Sequence, residues 1–424
     1  MHQFAKRQCL IGFALCFLFV FAGCESVYLD DPADSLQNRC LNISDPYNID
    51  RPGHVGNVLT IRLTSDGRFV NRCELTDVLY ELNWDTPQQP GEYRPRRKPD
   101  AIPLPKLVVL YIHGWKHDAS STDKDLVHFT DLINYLQRMN AKRKQVLGVY
   151  IGWNATSRFP PFGWPIFDNL TFWSKQTIAD RIAQTGVVTR ILASISSIVS
   201  RQSSKAVDPA TNQFIAIGHS FGARILFSAT NQTLIYQIAK AHPGYPGGKY
   251  QVIEGIANAV ILLNPAFEAA RYTPLAATTR WQEVFADTQL PLLLSISSEG
   301  DLATKQAFPL GQWLGGYRSD AELFTLGNFP EYQTHTLLAS NSGICRAASS
   351  LPLSEYFVAD DLCLVRDDPP HNRDQVYQPR NPFLIAHTSA DIIADHNDIW
   401  GDRFSQWLFA YINELGKYPR NRAQ

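Results

Sequence analysis

The stretch Gln213-Phe-Ile-Ala-Ile-Gly218-His-Ser220-Phe-Gly222 decides the fold, because an apolar run ends there in Gly-x-Ser-x-Gly and passes into Ala223-Arg-Ile-Leu-Phe-Ser-Ala-Thr230. This pattern predicts a buried strand, a tight turn that holds Ser220, and a helix. A serine on such a turn projects its hydroxyl clear of the main chain, and Gly218 and Gly222 relieve the crowding. A bare Gly-x-Ser-x-Gly also occurs in loops of small residues, but the flanking runs favour the turn. The sequence therefore predicts Ser220 as a nucleophile.

The chain after residue 106 alternates short apolar runs with longer runs of helical spacing. This alternation predicts the α/β class, with a mostly parallel sheet flanked by helices. Besides the run before Ser220, the predicted strands are Asn57–Leu63, Leu107–Ile112, Val146–Ile151, Ala259–Leu263, Pro291–Ile296 and Phe383–Ala386, with a possible strand at Val78–Leu82. The predicted helices are Asp123–Arg138, capped by Ser121 or Thr122, then Lys175–Val199 and Arg403–Leu415. Between them, the aromatic and proline-rich run Trp153–Trp173 suits a loop over a pocket.

A serine hydroxyl needs a histidine to take its proton and a carboxylate to orient that histidine. Both are expected after later strands, in the order Ser, acid, His. Asp301 lies in the turn after a predicted strand and is the predicted acid, with Glu299 and Glu268 as alternatives. His396 lies between the last predicted strand and the final helix and is the predicted base, with His387 as the alternative.

Acyl transfer also needs main-chain N–H groups that hold the negative charge developing on the reacting oxygen. The N–H of Phe221 is one predicted donor, because it begins the helix after the serine. The second is predicted in the run His113-Gly114-Trp115, where glycine lets the main chain approach closely. We therefore expect the N–H groups of Trp115 and Phe221 to form an oxyanion hole.

Four pieces of the chain match a known pattern in order: a strand ending in His113-Gly114, the Gly-x-Ser-x-Gly at 218–222, Asp301 and His396. From about Leu107 to the C-terminus the chain resembles the α/β-hydrolase superfamily, closest to its bacterial esterase- and lipase-like members. The resemblance implies an α/β-hydrolase fold and a serine esterase that cleaves a small-molecule or lipid ester through an acyl-enzyme. A thioesterase, peptidase or acyltransferase on the same triad is an alternative, as is a non-catalytic binding scaffold.

The N-terminus predicts export. Two basic residues precede the uncharged apolar run Cys9–Phe21, which suits the core of a signal peptide. The run meets Phe-Ala-Gly-Cys24, which resembles the lipobox of bacterial lipoproteins, although phenylalanine stands where an aliphatic residue is usual. The resemblance implies lipid on Cys24, a membrane anchor, and a place at the outer membrane or periplasmic face. Ordinary cleaved secretion and an uncleaved anchor are the alternatives.

The remaining cysteines agree with export. Beyond the predicted signal peptide the chain has Cys40, Cys73, Cys345 and Cys363, an even set that predicts disulfides. The pairing of sequence neighbours, Cys40 with Cys73 and Cys345 with Cys363, is favoured; four free thiols are the alternative. Neither Cys-x-x-Cys nor His-Glu-x-x-His occurs, so no metal and no cofactor is predicted.

Composition sets the outer limits. With 45% hydrophobic and 19% charged residues the chain is globular, and a net charge of -1 without a long basic run argues against nucleic acid as a partner. The predicted organisation is a signal peptide at 1–24, an N-terminal extension at 25–105, and a catalytic domain at 106–424 with an insertion at about 306–380.

Overall fold

The computed structural model describes residues 54–83, 104–153, 155, 165–203, 212–242, 244, 251–341, 345, 351–367 and 378–418, apart from single positions 56, 142, 281 and 283. Within these ranges the strands are β1 His54–Val55, β2 Val58–Leu63, β3 Lys106–Ile112, β4 Gln145–Trp153, β5 Gln213–His219, β6 Ala259–Leu263, β7 Leu293–Ser298, β8 His335–Ala339, β9 Tyr356–Ala359, β10 Leu362–Arg366 and β11 Phe383–Thr388. The α-helices are α1 Arg72–Asn83, α2 Lys124–Met139, α3 Pro165–Gln184, α4 Val187–Ser203, α5 Phe221–Ala241, α6 Thr273–Arg280, α7 Phe308–Leu314, α8 Asp320–Leu323 and α9 Asp402–Leu415.

The described strands form one sheet of 11 strands in the order β1-β2-β4-β3-β5-β6-β7-β11-β8-β10-β9. From β2 to β8 in that order, all neighbouring strands run parallel. The strands β1, β10 and β9 pair antiparallel at the two ends. A mostly parallel sheet with flanking helices confirms the predicted α/β class.

Each face of the sheet is covered by its own set of helices. Along β3, residues 108, 110 and 112 pack with α1, α3, α4, α5 and α6. The alternate residues 107, 109 and 111 pack on the opposite face with α2 and α9. Strand side chains alternate between faces, so a strand buried on both sides is apolar throughout, as β3 and β5 are.

The strand order brings the candidate site together. The chain passes from β3 to β4 on one side, then crosses back over β3 to reach β5 on the other side. The turns after β3 and β5 are therefore neighbours, with Ile112 opposite Gly218. Because parallel strands end at one edge, the segments after β6, β7 and β11 reach the same edge, where ligands of open α/β sheets usually bind.

The prediction of a possible strand at Val78–Leu82 is wrong, because these residues lie in α1. Their buried neighbours Leu75, Val78 and Leu82 recur at positions i, i+3 and i+7, which is the spacing of one helix face. A run of only five residues fits both the two-residue period of a strand and the 3.6-residue period of a helix. The helical period is visible only when Leu75 is included.

The single helix expected over Lys175–Val199 is two helices, α3 and α4. They meet at Gly186, whose φ of +70° ends the first helix, since left-handed backbone is the usual conformation of glycine at this position. The two axes differ by 51°. No single helix in the described ranges is long and apolar enough to span a membrane, and the bent pair of Lys175–Gln184 with Val187–Ser200 passes that test by length and composition.

Two helix starts also differ from expectation. The loop expected over Trp153–Trp173 gives way to α3 at Pro165, a residue that fits the first turn of a helix because it lacks an N–H. Residues 156–164 of that run lie outside the described residues. The cap of α2 is Asp123 rather than Ser121 or Thr122, since its carboxylate accepts the N–H of Asp125 at 2.9 Å.

The regions predicted as an N-terminal extension and an insertion both contribute to the sheet. Residues 54–83 supply β1, β2 and α1, and residues 335–366 supply β8, β9 and β10. The Cys345–Cys363 disulfide is confirmed, with Cα atoms 6.2 Å apart. Cys73 is also disulfide-bonded, but Cys40 lies outside the described residues, so their pairing stays a prediction, as does the division into domains.

Candidate active site

Ser220 lies on a sharp turn between β5 and α5. Its φ of +56° is in the left-handed region, which is uncommon for a residue with a side chain. The Ser220 N–H donates to the Leu263 carbonyl at 3.0 Å, which ties the turn to β6. A Cβ atom at Gly222 would lie 2.2 Å from the Ile112 carbonyl oxygen, and one at Gly218 would lie 2.7 Å from a Cα atom of α5. Both glycines are therefore required by the close approach of main chain.

The side chains of Ser220, His396 and Asp301 lie in a hydrogen-bonded row. Nε2 of His396 is 2.7 Å from Ser220 Oγ, and Nδ1 of His396 is 2.6 Å from Asp301 Oδ2. A carboxylate can only accept, so Nδ1 carries the proton and Nε2 is bare toward the serine hydroxyl. Ser220 and Asp301 are fully buried, and the His396 side chain is 12% exposed. The row can draw a proton from the serine hydroxyl to the imidazole.

The Asp301 carboxylate has a second partner in Thr304. Oδ1 accepts the Thr304 N–H at 3.0 Å, and Oδ2 accepts the Thr304 hydroxyl at 2.7 Å. Burial would raise the pKa of Asp301, but the charge of His396 and the hydrogen bonds from His396 and Thr304 outweigh burial and lower it. The carboxylate is therefore ionised near neutral pH and can stabilise an imidazolium.

The alternative acids and the alternative base take other places. Glu299 is exposed, two residues ahead of the acid that contacts His396. Glu268 forms ion pairs with two arginines. His387 lies within β11, with Nε2 3.5 Å from the Thr336 hydroxyl.

The loop that carries His396 is held by side chains that sequence reasoning missed. The His219 Nε2–H donates to the His396 carbonyl at 2.8 Å, and Asn264 Nδ2 donates to the same oxygen at 3.0 Å. Ser298 Oγ donates to the Ile393 carbonyl at 2.5 Å. Burial is the main reason that the pKa of His219 lies well below its ordinary value, so the ring stays neutral. The three holding side chains come from the ends of β5, β6 and β7.

The turn after β3 lies directly against Ser220. A Cβ atom at Gly114 would be 2.9 Å from Ser220 Cβ, so only glycine allows this approach. Trp115, next in the chain, is half-buried and packs on the core, and Phe221 is buried at the first position of α5. The turn thus lies where a second donor is expected, and the oxyanion roles of Trp115 and Phe221 stay predictions.

His113 has a structural place in this turn. The Trp153 N–H donates to His113 Nε2 at 2.9 Å, and the indole N–H of Trp153 donates to the His113 carbonyl at 2.8 Å. The His113 Nδ1–H therefore donates to the Gly114 carbonyl at 2.8 Å. Burial lowers the pKa of His113 to about 4, so it is neutral at physiological pH. Within the described ranges, no group of three or more His, Cys, Asp or Glu side chains could hold a metal.

An ion cluster around the buried Arg224 lies one helical turn beyond Ser220. Arg224, only 1% exposed, bonds Asp180 at 2.7 and 2.8 Å and Glu268 at 3.1 Å. Arg271 pairs with the same two carboxylates at 2.8 and 2.7 Å. Burial would lower the pKa of Arg224, but its bonds to the carboxylates raise it. The two carboxylates carry as much negative charge as the two arginines carry positive charge. The cluster therefore joins α3, α5 and the segment after β6 without net charge.

Comparisons with known proteins give little beyond this. No family model matches the chain, and no curated protein matches it. Two solved structures are distantly similar to it, namely phospholipase PlaB from Legionella pneumophila and the same protein in complex with thio-NAD. Each is 12% identical, with TM-scores of 0.26 and 0.25, covering 73% of this chain and 62% and 61% of that chain. The chain thus spans less than two thirds of that protein, and a likeness this distant carries no argument about activity.

Proposed function

We propose that this protein is a serine hydrolase with an α/β-hydrolase fold that cleaves carboxylic esters. The single observation that supports the proposal most strongly is the 2.7 Å contact between His396 Nε2 and Ser220 Oγ. Ser220 and Asp301 are fully buried, the His396 side chain is 12% exposed, and the other ring nitrogen is bound to an ionised carboxylate. Nucleophile, base and orienting acid in hydrogen-bonded order are what acyl transfer needs.

The proposed reaction has two halves. Ser220 Oγ attacks the ester carbonyl carbon while its proton passes to His396 Nε2, and Asp301 stabilises the resulting imidazolium through Nδ1–H. His396 then gives the proton to the departing alkoxide, which leaves an acyl group on Ser220. A water that loses its proton to His396 attacks this acyl-enzyme, and His396 returns the proton to Ser220 Oγ as the acyl–oxygen bond breaks and the carboxylic acid leaves. The N–H groups of Trp115 and Phe221 are the proposed donors to the oxyanion.

The same residues could serve a thioester, a peptide or a second acyl acceptor, because the triad fixes the mechanism rather than the leaving group. We favour esters because the sequence resembles esterase- and lipase-like members and the segment beside Asp301 exposes apolar side chains, described below, that suit contact with a lipid surface. A non-catalytic binding scaffold would have no use for an ionised Asp301 directed at His396.

The test is hydrolysis of short and long p-nitrophenyl esters by residues 25–424, a form that contains every described element. We expect Ser220→Ala and His396→Ala each to lower kcat by about 10⁴-fold or more. His128→Ala is the matched control, because His128 is exposed and stacks on Trp400 away from this row. It should keep the activity of the parent.

Each result has a separate meaning. Activity that survives Ser220→Ala would contradict the nucleophile. A parent that is inactive on esters but labelled by a fluorophosphonate at Ser220 would point to thioesters, peptides or acyl transfer. A parent that is neither active nor labelled would favour the binding scaffold.

We also propose that the chain is exported and anchored by lipid on Cys24, which lies outside the described residues. The sequence from Cys9 to Cys24 supports this proposal. In cells fed labelled palmitate, the parent should take up label and fractionate with the outer membrane. Cys24→Ser should lose both properties, and label retained by that variant would refute the anchor.

A further inference from the structure

The surface that follows Asp301 exposes an unusual density of apolar side chains. Of the 13 large apolar side chains exposed in the described residues, five lie between positions 302 and 317. They are Leu302, Leu310, Trp313, Leu314 and Tyr317, with exposed fractions of 59, 60, 53, 70 and 46%. The other eight are spread over the remaining described chain, where single exposed apolar residues are ordinary. A cluster of five is what marks an interaction surface.

The helical residues 303–314 bury polar side chains and expose apolar ones, which is the reverse of the usual arrangement. Its buried positions are Thr304, Phe308 and Gln312, spaced four residues apart. Two of these three are polar, and both have buried partners: Thr304 bonds Asp301, and Gln312 donates to Glu268 in the ion cluster at 2.9 Å. A surface helix normally directs its apolar side chains to the core and its polar side chains to water. In this segment the polar side chain of Thr304 faces Asp301 and that of Gln312 faces the ion cluster, while most of the large apolar side chains face outward.

The charged residues within the segment are basic, and the acidic residues Asp320 and Glu322 follow it. From Leu302 to Ser319 the chain has two cations, Lys305 and Arg318, and no acidic residue. The Arg318 guanidinium lies 5.4 Å from the centre of the Trp313 ring. Tryptophan and tyrosine beside lysine and arginine are the side chains that favour the headgroup region of a bilayer, and the cations add attraction to anionic lipid.

The size of the cluster argues against a second copy of the chain. Five side chains of this size, each about half exposed, present on the order of 500 Å² of surface. A stable protein interface needs about 800 Å² on each partner. Insertion into a lipid surface has no such requirement, because a few apolar side chains suffice for reversible binding.

We propose that segment 302–317 docks this protein on a lipid surface, with Leu310, Trp313 and Leu314 entering the interface. Because the segment begins at the residue after Asp301, docking would place the candidate site against the bilayer. The inference rests on the proposed ester hydrolase for its purpose, and it adds that the substrate is drawn from a lipid surface.

The experiment measures binding apart from chemistry. Residues 25–424, which lack the predicted lipid on Cys24, are sedimented with vesicles of phosphatidylcholine and phosphatidylglycerol. Leu310→Gln, Trp313→Gln and Leu314→Gln are combined in one variant. The matched control combines Val127→Gln and Tyr236→Gln, which replace exposed apolar side chains on α2 and α5.

We expect the triple variant to lose vesicle binding by more than about tenfold and the control to bind as the parent does. Turnover of a short soluble ester should stay within about twofold of the parent in both. A parent that does not bind vesicles, or a triple variant that binds equally well, would overturn the inference. A parent that sediments as a dimer, which the triple variant converts to a monomer, would assign the surface to a second copy. Soluble ester turnover in the parent reports on the proposed function alone, so the two failures are distinguishable.

Discussion

Asp301→Asn is expected to lower kcat by about 10³–10⁴-fold with the fold intact. The reason lies in the two oxygens of the carboxylate. Oδ1 accepts the Thr304 N–H at 3.0 Å, and a main-chain N–H can only donate, so an asparagine must keep its carbonyl oxygen there. Its NH₂ group then takes the place of Oδ2, 2.6 Å from His396 Nδ1.

This orientation forces the wrong tautomer on the base. An NH₂ group facing Nδ1 is satisfied only if Nδ1 gives up its proton, so Nε2 becomes protonated toward Ser220. Such a ring cannot accept the serine proton. The substitution also removes the negative charge of Asp301, which stabilises an imidazolium. The opposite amide orientation would set two N–H donors against each other at Thr304, at a cost of about 1–3 kcal/mol. A loss of about 10⁴-fold corresponds to roughly 5 kcal/mol in the activation barrier.

The assay is kcat on a p-nitrophenyl ester, with thermal unfolding of each variant measured beside it. Thr304→Val is the matched control, because it keeps the carboxylate and the main-chain N–H and removes only the hydroxyl bond to Oδ2. We expect it to lose no more than about tenfold. In proton NMR, the strongly downfield signal of His396 Nδ1–H should be present in the parent and absent in Asp301→Asn. An asparagine variant within tenfold of the parent, while Ser220→Ala is inactive, would refute the tautomer argument.

Three further predictions concern stability. Gly222→Ala should cost about 3 kcal/mol or more, because its Cβ would lie 2.2 Å from a main-chain carbonyl of β3, whereas Gly244→Ala, with its nearest contact at 3.2 Å, should be neutral in the same melting assay. Burial lowers the folded-state pKa of His335 from 6.5 to about 3. Its contribution to the free energy of unfolding is therefore present above pH 6.5 and is lost as pH falls toward 3. Urea titrations should show that His335→Gln removes up to about 5 kcal/mol of this pH dependence. Arg224→Met should cost about 3 kcal/mol, because it leaves the partly buried carboxylates of Asp180 and Glu268 with one cation fewer, and a change below about 1 kcal/mol would mean that the cluster relaxes.

Local pattern was enough for the parts of this protein that lie close together in the chain. The strand, turn and helix around Ser220 are contiguous, so the pattern shows both glycines, although only Gly218 is crowded within the turn and Gly222 is crowded by the Ile112 carbonyl of β3. Asp301 and His396 followed from the order in which parallel strands end at one edge. The α/β class followed from apolar runs that alternate with helical spacing.

The parts that sequence missed depend on contacts between distant residues. His219 meets the His396 carbonyl across 177 positions, and Asn264 meets it across 132. A side chain bonded to a main-chain oxygen leaves no pattern at the oxygen's position, so nothing in the loop identifies its partners. The helix break had a visible signal in Gly186, since glycine often ends a helix. In segment 302–317, the hydrogen bonds of Thr304 and Gln312 hold these polar side chains inward. Helical spacing alone would predict the opposite, with the leucines buried and the polar side chains exposed.

The bonds to the His396 loop also bear on how freely that loop can change. His219, Asn264 and Ser298 all grip main-chain carbonyls, and an oxygen of this kind is supplied by any amino acid. The sheet therefore sets where the loop backbone lies, and it leaves the exposed positions 390, 391, 394 and 395 freer than Ile392 and Ile393, which are buried in the core. Substitutions at those exposed positions would be tolerated as long as the loop keeps its length, whereas His219, Asn264 and Ser298 would be under constraint through the loop that they hold.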